Sequence, residues 1–473
     1  MRSLHPDALQ FARGGGGGGG GGGTGHAHRS GAGVAAATDA RRAAADICAD
    51  LRGGQLLDVA FGARTTTLDA RDRRWVQELV YGMLRRRSWL DAALSERVTG
   101  GLARLDPDLI DLLRLGVDQL LFMGSVPAYA AIAQSVELAK ERHGIGASRL
   151  VNAVLRRVER ERDDLTIRVP GDPIDALALR SSHPRWLVAR WVSRWGAEET
   201  ERLLEWNNVE PPLIVRPYGI GVEQLQGALQ DAGLQVSVVP LTGDSLKLDG
   251  ATISLAELGV FRKGQLFVQD PGATLVTRYA DVPVGATVVD LCAAPGGKTL
   301  ELSRTASSVI AIDRSAPRLQ RLIANLRRVG ADNVVPLLAD ARQAPLASAD
   351  AVLLDAPCTG TGTLRRHPDA RWRLKVSDLA VMAALQRALL RAAAALVRPG
   401  GLLVYSTCSL EPEENDEQVE RFLADHPEWR LEPPSLERTG IPAAVVDAGR
   451  LRVLPQRHGA DGAFAARLRR HSS

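Results

Sequence analysis

Residues 286–302 read ATVVDLCAAPGGKTLEL. A short β-branched run reaches Asp290, a proline and two glycines follow, and a helical stretch opens near Lys298. Strand, glycine turn and helix together open a parallel α/β unit. Glycines let backbone approach a ligand closely, and a helix start presents unpaired N–H groups. The turn is neither GxGxxG nor a Walker A loop, which would need another glycine at fixed spacing. Alone, it is a weak signal.

Four more apolar runs follow: SSVIAID (307–313), VVPLLAD (334–340), DAVLLDA (350–356) and GLLVYST (401–407). Helical stretches separate most of them, and GAFAARLRR (462–470) is suited to a last strand. This alternation predicts an open, mainly parallel sheet. Asp313 ends the second strand about 20 residues beyond the first, where a doubly wound fold places a ribose-binding carboxylate. Asp340 ends the third and suits an adenine amino group. One strand-end aspartate is commonly a turn or cap residue. Asp290, Asp313 and Asp340 in register point to a nucleoside ligand along the carboxyl edge.

The fourth strand runs into DAPCTGTGTLRRHPDARW (355–372) and the fifth into YSTCSLEPEEND (405–416). Neighbouring parallel strands place Cys358 and Cys408 side by side above one edge. A lone cysteine in an apolar strand is usually core filler, but two at consecutive strand tips are harder to explain so. One chemistry accounts for the pair. Carbon 5 of cytosine is a poor nucleophile until a thiolate adds at carbon 6 and pushes electron density onto it. The adduct must afterwards lose its carbon 5 proton and expel the sulfur. A carboxylate at ring nitrogen 3, here Asp355, would stabilise it.

Upstream the period is helical. Thr38 and Asp39 form a good N-cap. Apolar residues then recur at three- and four-residue spacing in RDRRWVQELVYGMLRR (71–86), LLRLGVDQLLFM (112–123), VPAYAAIAQSVELAK (126–140) and VNAVLRR (151–157). A domain of five to seven helices is expected. Its basic edges include Arg71, Arg73, Arg74 and Arg85 to Arg87, for which a solvated helix end is the simplest account and RNA contact the alternative. The tryptophans of HPRWLVARWVSRWGAEETERLLEWNN (183–208) are read as packing residues rather than base-stacking ones. LIVRP, QVSVVP and SLKL make short strands of a small α+β region. Arg365, Arg366, His367 and Arg371 suit phosphate contacts or a solvated loop equally.

Composition sets outer bounds. A chain of 473 residues, 45% hydrophobic and 24% charged, is expected to form several globular domains. No uncharged apolar run reaches about 18 residues, and no signal-peptide core opens the chain, so no membrane partner is expected and the cytoplasm is the default location. Four scattered cysteines give neither a disulfide framework nor a structural zinc site, so no metal is expected. Net charge of +4 is mildly favourable to a polyanion. The glycine tract Gly14 to Gly23 has nothing to bury and is read as disordered. Nothing in the sequence calls for a second copy, and a monomer is the default.

CAAPGGKT, DAPCTGTGT and YSTCSLEPEEN resemble the motifs of the RNA cytosine-5 methyltransferases of the RsmB/NOP family. The resemblance implies that Cys408 is the nucleophile and that Cys358 assists product release. It also places S-adenosyl-L-methionine, as methyl donor, on Cys292, Ala293, Ala294, Pro295, Gly296, Gly297, Lys298, Asp313, Asp340 and Asp355. The helical phrases are similar to the NusB-type RNA-binding fold. With the C-terminal LPQRHGADGAFAARL, the order of parts resembles the RsmB-type 16S ribosomal RNA methyltransferases from about residue 38 onward. Thr359, Ala463 and RPYGI (216–220) depart from that pattern outside the proposed catalytic set.

The expected fold is therefore multidomain. A Gly-rich tail (1–37) precedes an all-α NusB-like RNA-binding domain (38–165), a helical linker with a small α+β region (166–280), and an α/β Rossmann-like class I methyltransferase domain (281–473). The expected partner is 16S ribosomal RNA. The same chemistry on transfer RNA or another ribosomal site is the alternative, as is a non-catalytic RNA-binding or antitermination factor. Retention of Cys358, Cys408 and Asp355 disfavours the last.

Overall fold

The computed structural model describes residues 3–4, 37–249 and 254–472, which divide into two compact units. The expected disordered tail otherwise lies outside the described residues. Within it, β1 (Ser3–Leu4) pairs antiparallel with β2 (Ile167–Arg168).

The first unit comprises residues 1–209 and 367–373. Five helices open it: α1 (Asp39–Arg52), α2 (Leu57–Arg64), α3 (Ala70–Ser95), α4 (Pro107–Phe122) and α5 (Ala128–Arg160). The Asp69 and Asp106 side chains cap α3 and α4 by accepting from the Asp72 and Asp108 N–H groups, both at 2.8 Å. Thr38 stands at the start of α1 as expected, but its hydroxyl accepts from the Arg41 guanidinium and caps no backbone N–H. Gly144, at φ 81°, interrupts α5. A Cβ on Gly116 would stand 2.8 Å from Leu155, so that glycine sets how closely α4 and α5 pack. α6 (Pro173–Ser181), α7 (Arg185–Trp195) and α8 (Ala197–Asn208) complete the unit, with Trp191 fully buried as a packing residue.

Arg85 to Arg87 are not at a helix end: α3 continues eight residues beyond Arg87, to Ser95. Arg86 reaches the fully buried Asp118 carboxylate at 2.8 and 2.9 Å and lies over the Phe122 ring. Arg87 lies over Trp372. Both cations cover aromatic faces with their stems and planar heads, and the Arg86 charge finds the Asp118 carboxylate.

The second unit holds two sheets. β3 (Leu213–Pro217), β4 (Gln235–Val238), β5 (Leu246–Asp249) and β6 (Leu266–Val268) form an antiparallel sheet in the order β4-β5-β3-β6. Leu225 and Leu229 of the helix Val222–Asp231 share a core with Val215, Leu246 and Leu266.

β7 (Thr287–Leu291), β8 (Ser308–Asp313), β9 (Val334–Leu338), β10 (Ala349–Asp355) and β11 (Val397–Thr407) are parallel. β12 (Trp429–Leu431), β13 (Val446–Asp447), β14 (Arg450–Val453) and β15 (Ala463–Arg470) extend the sheet to nine strands, in the order β13-β14-β15-β11-β10-β7-β8-β9 with β12 beside β15. Successive residues alternate between two cores. Val288, Leu353 and Val404 face one; Val289, Leu354 and Tyr405 face the other. A strand buried on both faces reads as a continuous apolar run, which is why these five were legible. From β7 the chain moves outward to β8 and β9, then returns to place β10 on β7's other side. That reversal opens a crevice beyond the carboxyl ends of β7 and β10.

Candidate active site

The loop after β7 is held close to its neighbours. Cys292 takes φ 64°, a left-handed conformation uncommon for a residue with a side chain. The Ala293 N–H donates to the Ile312 carbonyl at 2.8 Å and the Ala294 N–H to Asp313 Oδ2 at 3.2 Å, fastening the loop to the end of β8. Gly296 has φ 107°, and a Cβ there would stand 3.2 Å from Leu322. On Gly297 a Cβ would stand 3.2 Å from the Gln269 amide nitrogen, which is buried without a hydrogen-bond partner among the described residues. The loop therefore needs Gly296 for its backbone angle, and Gly297 lets it lie close against Gln269.

Asp313 also accepts from the Ser315 N–H at 2.9 Å and lies beside Arg318. Asp290 is fully buried and accepts from the Thr299 hydroxyl at 2.6 Å. Burial, with Asp355 and Asp313 nearby, pushes its carboxyl up to about 7 against the Thr299 hydrogen bond. Burial likewise pushes the Cys292 thiol up to about 12, making it a poor nucleophile. Asp340 stands apart: both its oxygens accept from the Arg342 guanidinium and one also from the Arg342 N–H, bonds that hold its carboxyl at about 2.

At the next two strand tips the sulfurs of Cys358 and Cys408 lie 3.3 Å apart. Asp355 ends β10 beside them. Lys298 donates to its Oδ2 at 2.7 Å and Ser406, its register partner on β11, to Oδ1 at 2.8 Å. Burial lowers the Lys298 ammonium, but the charge and hydrogen bond of Asp355, with Cys408 adding to them, raise it overall. A fixed cation thus lies in the field of Cys408. The Cys358 thiol is pushed well above its ordinary range by its hydrogen bond with Cys408, then by burial, then by the charges of Cys408 and Glu414.

Glycines also set the outer wall. The Gly362 N–H donates to the Cys408 carbonyl at 3.0 Å, and Gly462 N–H donates to the Gly362 carbonyl at 2.8 Å. A Cβ on Gly362 would stand 2.7 Å from that Cys408 oxygen and from the Gly462 Cα. TGTGT and ADGAF are therefore two halves of one close backbone contact.

Cys292 to Lys298, Asp313, Asp355, Cys358 and Cys408 all gather at the carboxyl edge, with Asp340 at its β9 end. The arginines after Cys358 have partners within the chain. Arg366 binds Asp461 and Asp270 at 2.5 and 2.8 Å, and Arg365 donates to the Glu210 carbonyl at 2.8 Å. Arg371, fully buried, donates to Asn208 Oδ1 and the Asn207 carbonyl at 2.7 and 2.9 Å. His367 lies 3.5 Å from Asp58. Sequence reasoning passed over Glu414 and Gln386. Glu414 sits inside a quoted motif, and an acidic residue among hydroxyl and amide neighbours was the available signal.

Three families match the chain in order. Residues 38–160 match the NusB family, 183–254 the ferredoxin-like domain of RsmF/B-like methyltransferases, and 281–469 the family described as 16S rRNA methyltransferase RsmB/F. The chain is 37% identical over 408 residues to the probable ribosomal RNA small subunit methyltransferase B of Synechocystis sp., covering 84% of this chain and 91% of that protein. To the protein so named in Bacillus subtilis it is 35% identical over 425 residues, covering 86% and 92%. The crystal structure of PH0851 superposes with a TM-score of 0.77 at 29% identity, covering 91% of this chain and 98% of that one.

Proposed function

The chain belongs to the RsmB/F family of 16S rRNA methyltransferases, and from that premise we propose that it transfers a methyl group from S-adenosyl-L-methionine to carbon 5 of one cytosine in 16S ribosomal RNA. The observation that carries this reading is the 3.3 Å approach of two sulfurs on neighbouring strand tips, beside a carboxylate already fixed by Lys298 and Ser406.

The loop fits the donor. The Asp313 carboxylate suits ribose hydroxyls, and the Gln269 amide beside the loop offers a buried N–H with no other partner among the described residues. Cys292 to Lys298, Asp313 and Asp340 would hold it, Asp340 exchanging its Arg342 contact for the adenine edge. Bound there, the donor supplies an electrophilic methyl group.

The remaining work falls to the chain. The Cys408 thiolate adds to carbon 6 of the cytosine and makes carbon 5 nucleophilic. Asp355 hydrogen-bonds ring nitrogen 3 and shares a proton there, its own oxygens oriented by Lys298 and Ser406. After methylation carbon 5 gives up its proton and the carbon–sulfur bond breaks. Cys358 hands its hydrogen to the departing Cys408 sulfur, and the Cys358 thiolate left behind takes the carbon 5 proton. The helical domain at 38–165 serves RNA binding, followed by the linker at 166–280 and the transferase domain at 281–473, in a monomer of the cytoplasm.

Bisulfite sequencing of cellular RNA with and without this gene tests the reading. Loss of one methylated cytosine from 16S ribosomal RNA is expected. Loss from transfer RNA would keep the mechanism and overturn the substrate, and no change in any RNA would overturn both.

A further inference from the structure

Two catalytic sulfurs on separate loops need something that fixes one against the other. The contact that does so is a single carboxylate. Glu414 Oε1 accepts from the Thr359 N–H at 2.9 Å and from Gln386 Nε2 at 3.0 Å. Its Oε2 accepts from the hydroxyls of Thr359 and Ser409. Thr359 follows Cys358 and Ser409 follows Cys408, so one side chain binds the residue after each sulfur. The Gln386 amide also donates to the Pro357 carbonyl at 2.9 Å, extending the hold to the residue before Cys358. The backbone of Glu414 is tied as well, its carbonyl accepting from the Tyr405 hydroxyl at 2.6 Å.

We propose that Glu414 is a positioning residue of the methyl-transfer reaction, aligning the Cys358 and Cys408 sulfurs through the residues that follow them; this rests on the two-cysteine reading above. Four donors converge on it. Its side chain is fully buried and has no ion pair among the described residues. A buried carboxylate without a counter-ion is costly, and a glutamine could hold the two loops without that cost. What the negative charge adds is discrimination between the sulfurs. Glu414 opposes the ionisation of Cys358. The arrangement favours one thiolate and one thiol over two thiolates, and the release step requires that division.

The test uses full-length protein carrying Glu414→Gln, Thr359→Ala or Ser409→Ala. Two quantities are read: kcat and KM on 16S ribosomal RNA, and the pH dependence of iodoacetamide alkylation of Cys358 in a Cys408→Ser background without RNA or donor. Glu414→Gln is expected to lower kcat about tenfold or more with KM changed less than about threefold. It should also move the Cys358 alkylation midpoint down by about one pH unit. Thr359→Ala and Ser409→Ala keep the charge, so kcat should fall while that midpoint stays. An unchanged midpoint in Glu414→Gln would overturn the proposal even if kcat fell, because a plain loop staple would lower kcat alone. Near-parental kcat with an unchanged midpoint would overturn it too. The alkylation measurement needs no RNA, so it stands apart from the substrate assignment. Failure of the parent protein to methylate cytosine would sink the functional reading and leave the alkylation result intact.

Discussion

The sulfurs of Cys358 and Cys408 lie 3.3 Å apart although 50 residues separate them in the chain. The contact follows from strand register. β10 and β11 are parallel neighbours with Asp355 opposite Ser406, and each cysteine lies just past its strand's end. Such proximity lets the two groups act in sequence on one bound base.

From that sequence the two cysteines should fail in different ways. Cys408→Ala is expected to abolish methyl transfer while donor binding, read by calorimetry, persists. Cys358→Ala should form the RNA adduct and release it slowly, so a denaturant-resistant protein–RNA band accumulates. Full activity in Cys408→Ala would refute the nucleophile assignment, and no band in Cys358→Ala would refute the release role.

The same proximity makes the pair oxidisable. Joining the sulfurs needs an approach from 3.3 Å to about 2.0 Å. Each thiol gives up one proton and one electron, and hydrogen peroxide accepts both pairs to become two waters. Mild peroxide should therefore abolish activity, thiol titration should fall by two per chain, and dithiothreitol should restore both. Loss of activity with all four thiols still titratable would contradict the expectation.

The sheet was legible because burial on both faces leaves each parallel strand an apolar run bounded by turn residues. TVVDL, SVIAID and AVLLD needed no partner to be seen. Cys358 and Cys408 were legible because strand order places consecutive tips together. β6 (Leu266–Val268) was not, since three residues give too short a period. Arg85 to Arg87 were misread because a cation run looks the same whether its carboxylate is solvent or Asp118. Glu414 was overlooked for a related reason: its meaning lies in Thr359, 55 residues away, which spacing does not reveal.

Asp290 should leave a pH signature in stability. Its folded value near 7 exceeds the ordinary carboxyl value of about 4, so the folded chain keeps a proton that the unfolded chain gives up. The stabilisation is whole below about pH 4 and is lost as pH rises to about 7, a change of up to about 4 kcal/mol. Asparagine cannot ionise and can still accept from Thr299. Asp290→Asn should therefore resist urea better than the parent at pH 8 and match it near pH 4. An equal difference at both pH values would count against this account.

Arg366 offers the sharpest contrast between the reading from sequence and the structure. If it gripped RNA phosphate, Arg366→Met would lower the salt slope of RNA binding by about 0.7–0.9 and leave stability alone. Its guanidinium instead joins Asp270 and Asp461, whose backbone N–H also donates to Asp270 Oδ1 at 3.0 Å. Burial and then Asp270 push the Asp461 carboxyl up to about 7 despite the arginine. Without that cation two carboxylates would face each other, so Arg366→Met should cost about 3–5 kcal/mol above pH 7. The loss should shrink towards pH 5 as Asp461 takes up a proton, which removes the repulsion. Urea unfolding at pH 5 and 8, with RNA binding at several salt concentrations, separates the two roles. A reduced salt slope with unchanged stability would return Arg366 to the RNA interface.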